Sequence, residues 1–304
     1  MRNPPYDPPR IAPIDAADLI TGVVRAKRPF SLVRLGDGEL ALLGIGQESP
    51  REHTERSLGY WFGPQHAPWT AFRGFAEELR DAVRNADLVG IPRVSRQLAE
   101  EYASYVVPIF ERNRLRSARS LYTDVAIHTW FQHLRALDEW LRDAEFVGLI
   151  TCRDVAARVA QVFGVRRTAL HRIPPDFITT GAAASPPHYP DVYERLRREI
   201  APPFQGALYL VGAGAFGKVY CDWVRARGGI AIDIGSIFDG WAGVHVRPRI
   251  RRRQEQYSLE RYQARLGRAE RLAEYRETMR RNVGGVLPRD ELEFLLSEGA
   301  RAPG

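Results

Sequence analysis

Two acidic residues, separated by one glycine, stand where an apolar strand-like run turns into a helical pattern. The run is Phe30–Leu35, the triplet Asp37-Gly38-Glu39 follows it, and Leu40–Leu43 begins an apolar helical face. Carboxylates at the carboxyl end of a strand offer hard oxygen ligands to Mg²⁺ or Mn²⁺. Such an ion keeps coordination positions open for substrate phosphates, so the pattern indicates metal-assisted phosphate chemistry.

The residues around this triplet also allow a structural interpretation. Asp-Gly is a common turn dipeptide, so Asp37 could cap the following helix and Glu39 could complement the helix dipole. Gly36 and Gly38 permit the tight turn that either interpretation requires. Arg34 precedes the turn, where its guanidinium could bind phosphate or hold a carboxylate in place.

A second motif lies near the other end of the chain. The segment Gly212-Ala-Gly214-Ala-Phe-Gly217 follows the apolar run Ala207–Val211 and opens a helical pattern. Asp233 lies about twenty residues further on, as in a dinucleotide-binding fingerprint. Glycines in such a turn let backbone amides approach phosphates. We expect Lys218 to contact phosphate and Asp233 to contact a ribose or acceptor group. Equally good interpretations are that Lys218 is solvated and that Asp233 caps the turn after its strand.

Together, the two motifs resemble those of the GT-D fold glycosyltransferases, a bacterial family with an Asp-X-Glu motif after its first strand. The resemblance rests on Ser31–Glu39, on Leu208–Gly214 with Lys218, and on Ala231–Ser236, which occur in the family's order. It extends over roughly residues 15 to 245.

The resemblance implies transfer of a sugar from a nucleotide diphosphate donor, usually a uridine one, to an acceptor hydroxyl. Asp37 and Glu39 would hold a divalent cation, typically manganese, on the donor diphosphate. The implied setting is the assembly of a bacterial surface polysaccharide or glycoprotein glycan, with a glycan or lipid-linked acceptor. Ser236 belongs to the matching strand end, so we expect it beside the substrate.

Other polar residues follow predicted strands. Arg93 and Arg153 could balance charge on a leaving diphosphate, and Thr151 could cap the helix after its strand. The candidates for the base that takes the acceptor proton are His128, Asp176, Asp239 and Glu39. A lone histidine between apolar residues is, however, more often a hydrogen-bonded core residue. Phe238 and Trp241 could stack on a sugar or belong to the core.

Apolar strand-like runs alternate with helical patterns along most of the chain. The runs are Phe30–Leu35, Asp87–Ile91, Phe146–Ile150, Thr168–Ile173, Ala207–Val211 and Ile230–Ile234. The helical patterns are Trp69–Ala86, Ser95–Arg112, Trp130–Asp143, Asp154–Phe163, Asp191–Ile200 and Phe216–Arg227. This alternation predicts an α/β fold with a mostly parallel sheet and helices on both faces, GT-D-like or Rossmann-like. Ligands bind such sheets beyond the carboxyl ends of the strands.

We divide the chain into an extended lead-in (residues 1–14), a main domain (15–245), and a basic linker with a C-terminal helical extension (246–304). Gln254–Arg281 is a candidate for one long charged helix, whose sparse apolar stripe would pack on the main domain or on the second subunit of a homodimer. Leu287–Leu296 predicts a small docking helix.

The composition indicates a globular protein. The chain has 304 residues, 44% of them apolar, and no apolar stretch approaches the ~20 residues of a membrane helix. Its start lacks the apolar core of a signal peptide, which predicts a cytoplasmic protein. Two cysteines make a disulfide framework or a cysteine-based zinc site implausible.

The net charge of +7 is uneven, with five arginines in the run Arg247–Arg253. Such a run could contact anionic lipid, polyanionic acceptors or nucleic acid, or it could simply be solvated. No aromatic residues are interleaved with the arginines as a base-stacking platform requires, so we expect no nucleic acid partner. Peripheral contact with the inner membrane face would bring the enzyme to lipid-linked acceptors.

Two other functions stay open. The Gly212–Gly217 turn could bind the cofactor of an NAD(P)-dependent oxidoreductase. A dinucleotide-binding domain, however, has several crossover units after its glycine turn, and only one clear strand follows the turn in this sequence. A uridine diphosphate meets the same physical requirement at such a turn. The chain could also be a non-catalytic protein that binds nucleotides or polyanions.

Overall fold

The computed structural model describes residues 9–46, 51–92, 107–115, 120–244, 251, 254–283 and 289–298. Its strands are β1 (Phe30–Arg34), β2 (Leu88–Ile91), β3 (Leu121–Asp124), β4 (Phe146–Thr151), β5 (Arg167–Arg172), β6 (Leu208–Gly212) and β7 (Ile230–Asp233). They form one parallel sheet in the order β3-β2-β1-β7-β6-β4-β5.

Helices surround this sheet. Those in the first half of the chain are α1 (Pro13–Arg25), α2 (Asp37–Leu43), α3 (Arg51–Phe62), α4 (Arg73–Asn85), α5 (Val107–Arg112), α6 (Ile127–His133) and α7 (Ala136–Leu141). Those in the second half are α8 (Ala156–Phe163), α9 (Phe177–Thr180), α10 (Tyr193–Glu199), α11 (Phe216–Ala226), α12 (Ile237–Trp241), α13 (Gln254–Tyr257), α14 (Arg268–Val283) and α15 (Arg289–Leu296). The predicted α/β class with a parallel sheet is therefore confirmed.

The side chains of the central strands alternate between two apolar cores, one on each face of the sheet. In β6, Tyr209 and Val211 pack into the core that includes side chains of α4 and α11, whereas Leu208 and Leu210 pack into the core with α1 and α6 to α8. Because successive residues of a strand point to opposite faces, burial on both faces produces the continuous apolar runs seen in the sequence.

The strand order reverses beside β1. The chain runs outward from β1 through β2 to β3, and later returns through β6 to β7, which pairs with β1 at Leu32 and Ile232. Ligand crevices in open α/β sheets form at such a reversal, outside the carboxyl ends of the strands. The acidic turn after β1 and the glycine turn after β6 both face this region.

Several details differ from the sequence-based expectations. The helix α3 was not predicted, and the helix predicted over Trp130–Asp143 is divided into α6 and α7, with Arg135 in the left-handed conformation between them. The strand β3 was not predicted, since Leu121–Asp124 is short and lacks a continuous apolar run.

The prediction of a single helix over Gln254–Arg281 is wrong. The helix stops at Tyr257, the Ser258 hydroxyl accepts the N–H of Glu260, and a new helix begins at Arg268.

The C-terminal helices pack on the main domain. The buried side chains that join the second core are Tyr257, Leu259, Tyr262, Tyr275, Met279. The hydroxyl of Tyr275 donates to the carbonyl of Leu295, which ties α14 to α15 at 2.8 Å. Part of the sparse apolar stripe is thus used within the chain. Among the described residues, no helix combines the length and the apolar character that a bilayer crossing requires.

Candidate active site

A cleft of about 860 Å³ opens at the carboxyl ends of β1, β4, β6 and β7. The sequence-predicted residues that line it are Arg34, Gly36, Gly38, Glu39, His128, Thr151, Arg153, Gly212, Gly214, Lys218, Asp233, Ser236 and Asp239. For Asp37, only the backbone is described, and it starts α2 at the same edge. Arg93 lies outside the described residues. The two motifs therefore meet around one cavity.

The buried ammonium of Lys218 connects the motifs. Its Nζ donates to Glu39 Oε1 at 2.8 Å and to the carbonyl of Gly214 at 2.9 Å, and it lies 3.0 Å from Asp233 Oδ2. Each of its three N–H bonds thus has an acceptor nearby. Burial alone would lower the pKa of Lys218, but Asp233 and Glu39 outweigh burial and raise it. The lysine is therefore charged and held inside the protein, so a phosphate contact would have to share this ammonium.

Arg34 binds the second carboxylate oxygen of Asp233 and its backbone carbonyl. Its Nη2 donates to Asp233 Oδ1 and its Nε to the Asp233 carbonyl, both at 3.0 Å. Burial would raise the pKa of Asp233, but Arg34 and then Lys218 keep it below the ordinary value of 3.8. The strand-end aspartate is thus an ionised, buried anchor for two cations, and its predicted contact with substrate stays a prediction.

Glu39 links the start of α2 to this network. Its Oε2 accepts the N–H of Gly36 at 3.0 Å, while Oε1 accepts from Lys218. The first contact caps α2 through Glu39, with Gly36 as the N-cap, so the structural interpretation that Asp37 caps this helix is wrong. The carboxylate of Glu39 nevertheless lines the cleft, so capping and ligand binding are compatible.

Trp61, on α3, touches both turns and was not identified from the sequence. A Cβ added at Gly38 would lie 3.0 Å from its Cη2, and one added at Gly214 would lie 3.0 Å from its Nε1. Gly214 also has φ of +53°, which disfavours any side chain there. The indole therefore packs closely against both turns and favours glycine at both positions.

A second ion pair lies across the cleft. Arg153 Nε donates to Asp239 Oδ1 at 2.8 Å, and the backbone N–H of Arg153 donates to the Thr151 hydroxyl at 3.2 Å. Both charged side chains are mostly buried. Arg153 thus orients the carboxylate of Asp239, a candidate base, toward the same cavity.

The remaining candidates fall into different environments. His128 lines the cleft, and its Nδ1 accepts a hydrogen bond from Arg34 Nη1 at 2.8 Å, because a guanidinium can only donate. Asp176 lines the cleft as well. Trp241 is fully buried in the second core, so it is a core residue and does not stack on a sugar, whereas Phe238 reaches the cleft.

Comparison with family models assigns the chain. Residues 13–241 match the model of the GT-D fold-like domain, which is about three quarters of the sequence. The chain belongs to the GT-D-like family. This membership confirms the predicted family and the predicted enzyme class, a glycosyltransferase. No curated protein matches the chain.

Solved structures show distant similarities to this GT-D-like protein. A chain described as the highly conserved domain of unknown function 1792 with a distinct glycosyltransferase fold has 16% identity and a TM-score of 0.48, with 76% of this chain and 80% of the other covered. A new glycosyltransferase (DUF1792) from Streptococcus sanguinis has 17% identity and a TM-score of 0.43, with 76% and 84% covered. The family match, and not these distant similarities, establishes the membership.

Charges are balanced along the cleft of this GT-D-like protein. The basic side chains are Arg34, Arg56, Arg153 and Lys218, and the described carboxylates are Glu39, Asp176, Asp233 and Asp239. Three of the cations are held by carboxylates, whereas Arg56 is exposed and has no ion-pair partner within the described part of the chain. Sequence reasoning missed Arg56 because its helix, α3, has a mostly polar sequence and was not predicted.

The carboxylates of the acidic turn are compatible with a divalent cation that a substrate shares. The described residues contain no group of three or more acidic, histidine or cysteine side chains able to enclose a metal. Each oxygen of Glu39 accepts one hydrogen bond and keeps a second lone pair. Mg²⁺ commonly uses one or two carboxylates together with phosphate oxygens and water. Glu39 fits this type of site, and Asp37 stays the predicted second ligand.

Replacing Asp233 tests the buried network. We expect Asp233→Asn to lower the free energy of unfolding by about 3–5 kcal/mol, because Arg34 and Lys218 would be left as buried cations without their shared partner. Asp154→Asn is the control, since its pair with Arg172 is mostly exposed and should contribute nothing measurable. Urea denaturation at about pH 7 measures both.

The same variant has a defined pH dependence. A carboxylate whose pKa is lowered in the folded state stabilises the protein above its unfolded pKa and loses this contribution as pH falls. Wild-type stability should therefore decline as pH falls below 3.8, and Asp233→Asn should show a shallower decline. Equal acid slopes, or an unchanged stability at neutral pH, would contradict the ion-pair network.

Proposed function

We propose that this protein transfers a sugar from a nucleotide diphosphate donor, with uridine diphosphate as the nucleotide, to a hydroxyl of a glycan or lipid-linked acceptor. The observation that supports this proposal is the convergence of the acidic turn and the glycine turn on one cleft, linked by Lys218. The glycine turn suits phosphate oxygens, because its backbone amides can approach them closely. The acidic turn suits the cation that accompanies a diphosphate.

In this mechanism the chain binds and orients both substrates. Asp37 and Glu39 would hold Mn²⁺ or Mg²⁺, and the ion would supply positive charge for the departing diphosphate. Lys218 and Arg34 fix the carboxylates around which the donor binds. The acceptor hydroxyl gives its proton to a carboxylate in the cleft, for which Asp239 and Asp176 are candidates. The hydroxyl oxygen forms the new bond to the anomeric carbon, while the bond from that carbon to the diphosphate oxygen breaks and the nucleoside diphosphate leaves.

Thermal-shift titration with uridine diphosphate and Mn²⁺ tests the donor site. At a ligand concentration of about 100 times Kd, we expect the melting temperature to rise by about 5 °C. Asp37→Ala and Glu39→Gln should lose the rise. Glu270→Gln is a matched control. Glu270 Oε2 also accepts the N–H of the glycine three residues earlier, Gly267, but Glu270 does not line the cleft.

The same titration separates the alternative functions. Stabilisation by NAD without metal would contradict transfer and support an oxidoreductase at the Gly212–Gly217 turn. Nucleotide binding without turnover of any sugar nucleotide would support a non-catalytic binding protein. A metal-dependent rise that persists in both Asp37→Ala and Glu39→Gln would place the cation elsewhere.

Arg56 is proposed to bind the donor diphosphate. The other cations of the cleft are held by carboxylates, so Arg56 is the exposed guanidinium available for phosphate. We expect Arg56→Ala to weaken uridine diphosphate binding about tenfold and to leave uridine binding unchanged. Arg51→Ala, on the same helix but paired with Glu55, is the control. Calorimetry that shows equal loss for both ligands, or none, would contradict this role.

The setting of the enzyme is also a proposal. We place it in the bacterial cytoplasm, in surface polysaccharide or glycoprotein glycan assembly, and at anionic membrane when the acceptor is lipid-linked. The proposed contact with anionic membrane rests on the run Arg247–Arg253. This run lies outside the described residues except for Arg251. Formation of a homodimer stays a prediction as well.

Liposome flotation measures the membrane contact. Binding to phosphatidylcholine vesicles should increase when phosphatidylglycerol is added and decrease with salt, because headgroup attraction is screened. Replacing the arginines of Arg247–Arg253 by alanine should remove the increase. Equal flotation with and without anionic lipid would contradict the contact.

A further inference from the structure

A second cavity, of about 340 Å³, adjoins the cleft and has no role in the donor site described above. The two cavities share Trp61, Pro174 and Asp176 as lining residues. One wall comes from the segment 174–190, and the other comes from the end of α3, the residues that follow it and the start of α11. The cavity is therefore a side compartment of the candidate active site.

Many of the side chains that line this compartment carry aromatic rings. They are Trp61, Phe62, His66, Phe72, His188, Tyr189 and Phe216. Several of them contact one another, with ring centroids 5.1 Å apart for Phe72 and Tyr189 and 4.4 Å apart for His188 and Phe216. Ligand sites are typically concave, mostly apolar and at least about 300 Å³ in volume, so the compartment is large enough for part of a ligand.

The compartment carries little charge. No lysine or arginine is among its lining residues, and Asp176 is its single carboxylate, at the border with the cleft. Burial lowers the pKa of His188 to about 3, and its Nε2 lies 2.8 Å from the hydroxyl of Tyr220. The imidazole is therefore neutral at physiological pH. His66 also lines the compartment, with its Nε2 3.4 Å from Glu55 Oε2. Since no lysine or arginine here is available for a phosphate group, an uncharged hydrocarbon group would be better accommodated.

Apolar surface also borders the opening of the cleft on this side. Among the described residues, the large hydrophobic side chains with substantial exposure are Tyr60 at 38% and Ile178 at 52%. Both line the cleft, from α3 and α9. Exposed apolar groups that gather at one opening mark a binding surface more often than scattered ones do.

We propose that this compartment is an acceptor subsite, which binds a hydrocarbon group attached to the acceptor near its reacting hydroxyl. The proposal rests on the sugar-transfer function proposed above and adds the chemical class of the acceptor. Since Asp176 lines both cavities, a hydroxyl linked to the bound hydrocarbon group would enter the cleft beside this carboxylate. The group is an alkyl chain or an aryl ring, and the experiment distinguishes the two.

Calorimetric titration with phenyl, n-hexyl and methyl glucosides tests the subsite on the whole chain. We expect the phenyl or the hexyl compound to bind at least about tenfold more tightly than the methyl compound, because it buries several additional carbon atoms. Tighter binding of phenyl indicates an aryl group, and tighter binding of hexyl indicates an alkyl chain. Equal binding of all three would overturn the proposal.

A matched pair of variants locates the site. Ala184 lines the compartment and is partly buried, whereas Ala182 is exposed on the same segment and does not line it. Ala184→Trp should fill the space and weaken binding of the preferred glucoside about tenfold, while Ala182→Trp should change it less than about twofold. Circular dichroism and melting temperature verify that both variants fold. Equal binding to the two variants would overturn the assignment.

Competition with the donor nucleotide separates this proposal from the proposed function. Saturating uridine diphosphate with Mn²⁺ should leave the affinity for the preferred glucoside within about twofold, since the sites are distinct. Displacement of the glucoside by the nucleotide would show that the compartment belongs to the donor site and would overturn the acceptor assignment. If the nucleotide does not bind at all while the glucoside does, the donor proposal fails and the subsite remains.

Discussion

The candidate site depends on the contacts that the buried ammonium of Lys218 makes. This ammonium joins Glu39, from the turn after β1, to Asp233, at the end of β7, and to the Gly214 carbonyl in the turn after β6. A buried charge is tolerated only when its partners are in place, so each turn fixes the other. The acidic motif and the glycine motif are thereby parts of one structure, although they are far apart in the chain.

This network also sets the electrostatic requirement of the reaction. Three of the cations that sequence reasoning offered for phosphate binding, Arg34, Arg153 and Lys218, are held by carboxylates in the structure. Under the proposed function, a diphosphate would need positive charge that these pairs do not supply, which is why we propose a divalent cation and Arg56 as its partners. The neutral side compartment lies next to this charged cleft, so a substrate with a charged part and a hydrocarbon part would be bound in a defined orientation.

Most of the fold could be predicted because buried parallel strands leave continuous apolar runs, and the site residues follow those strands directly. The strand β3 leaves too short a run, and the bend at Ser258 depends on a local hydrogen bond. The pairing of Lys218 with Glu39 has no sequence signal across 179 residues. Trp61 was missed for a similar reason, because its position over both glycine-containing turns arises only when α3 packs beside them.

A crystal structure of the protein with uridine diphosphate and Mn²⁺ tests the central claim most directly. The account predicts an anomalous manganese peak within coordination distance of Asp37 or Glu39, with the diphosphate between the start of α2 and the glycine turn. A manganese peak away from both carboxylates, or a diphosphate outside the cleft, would contradict it.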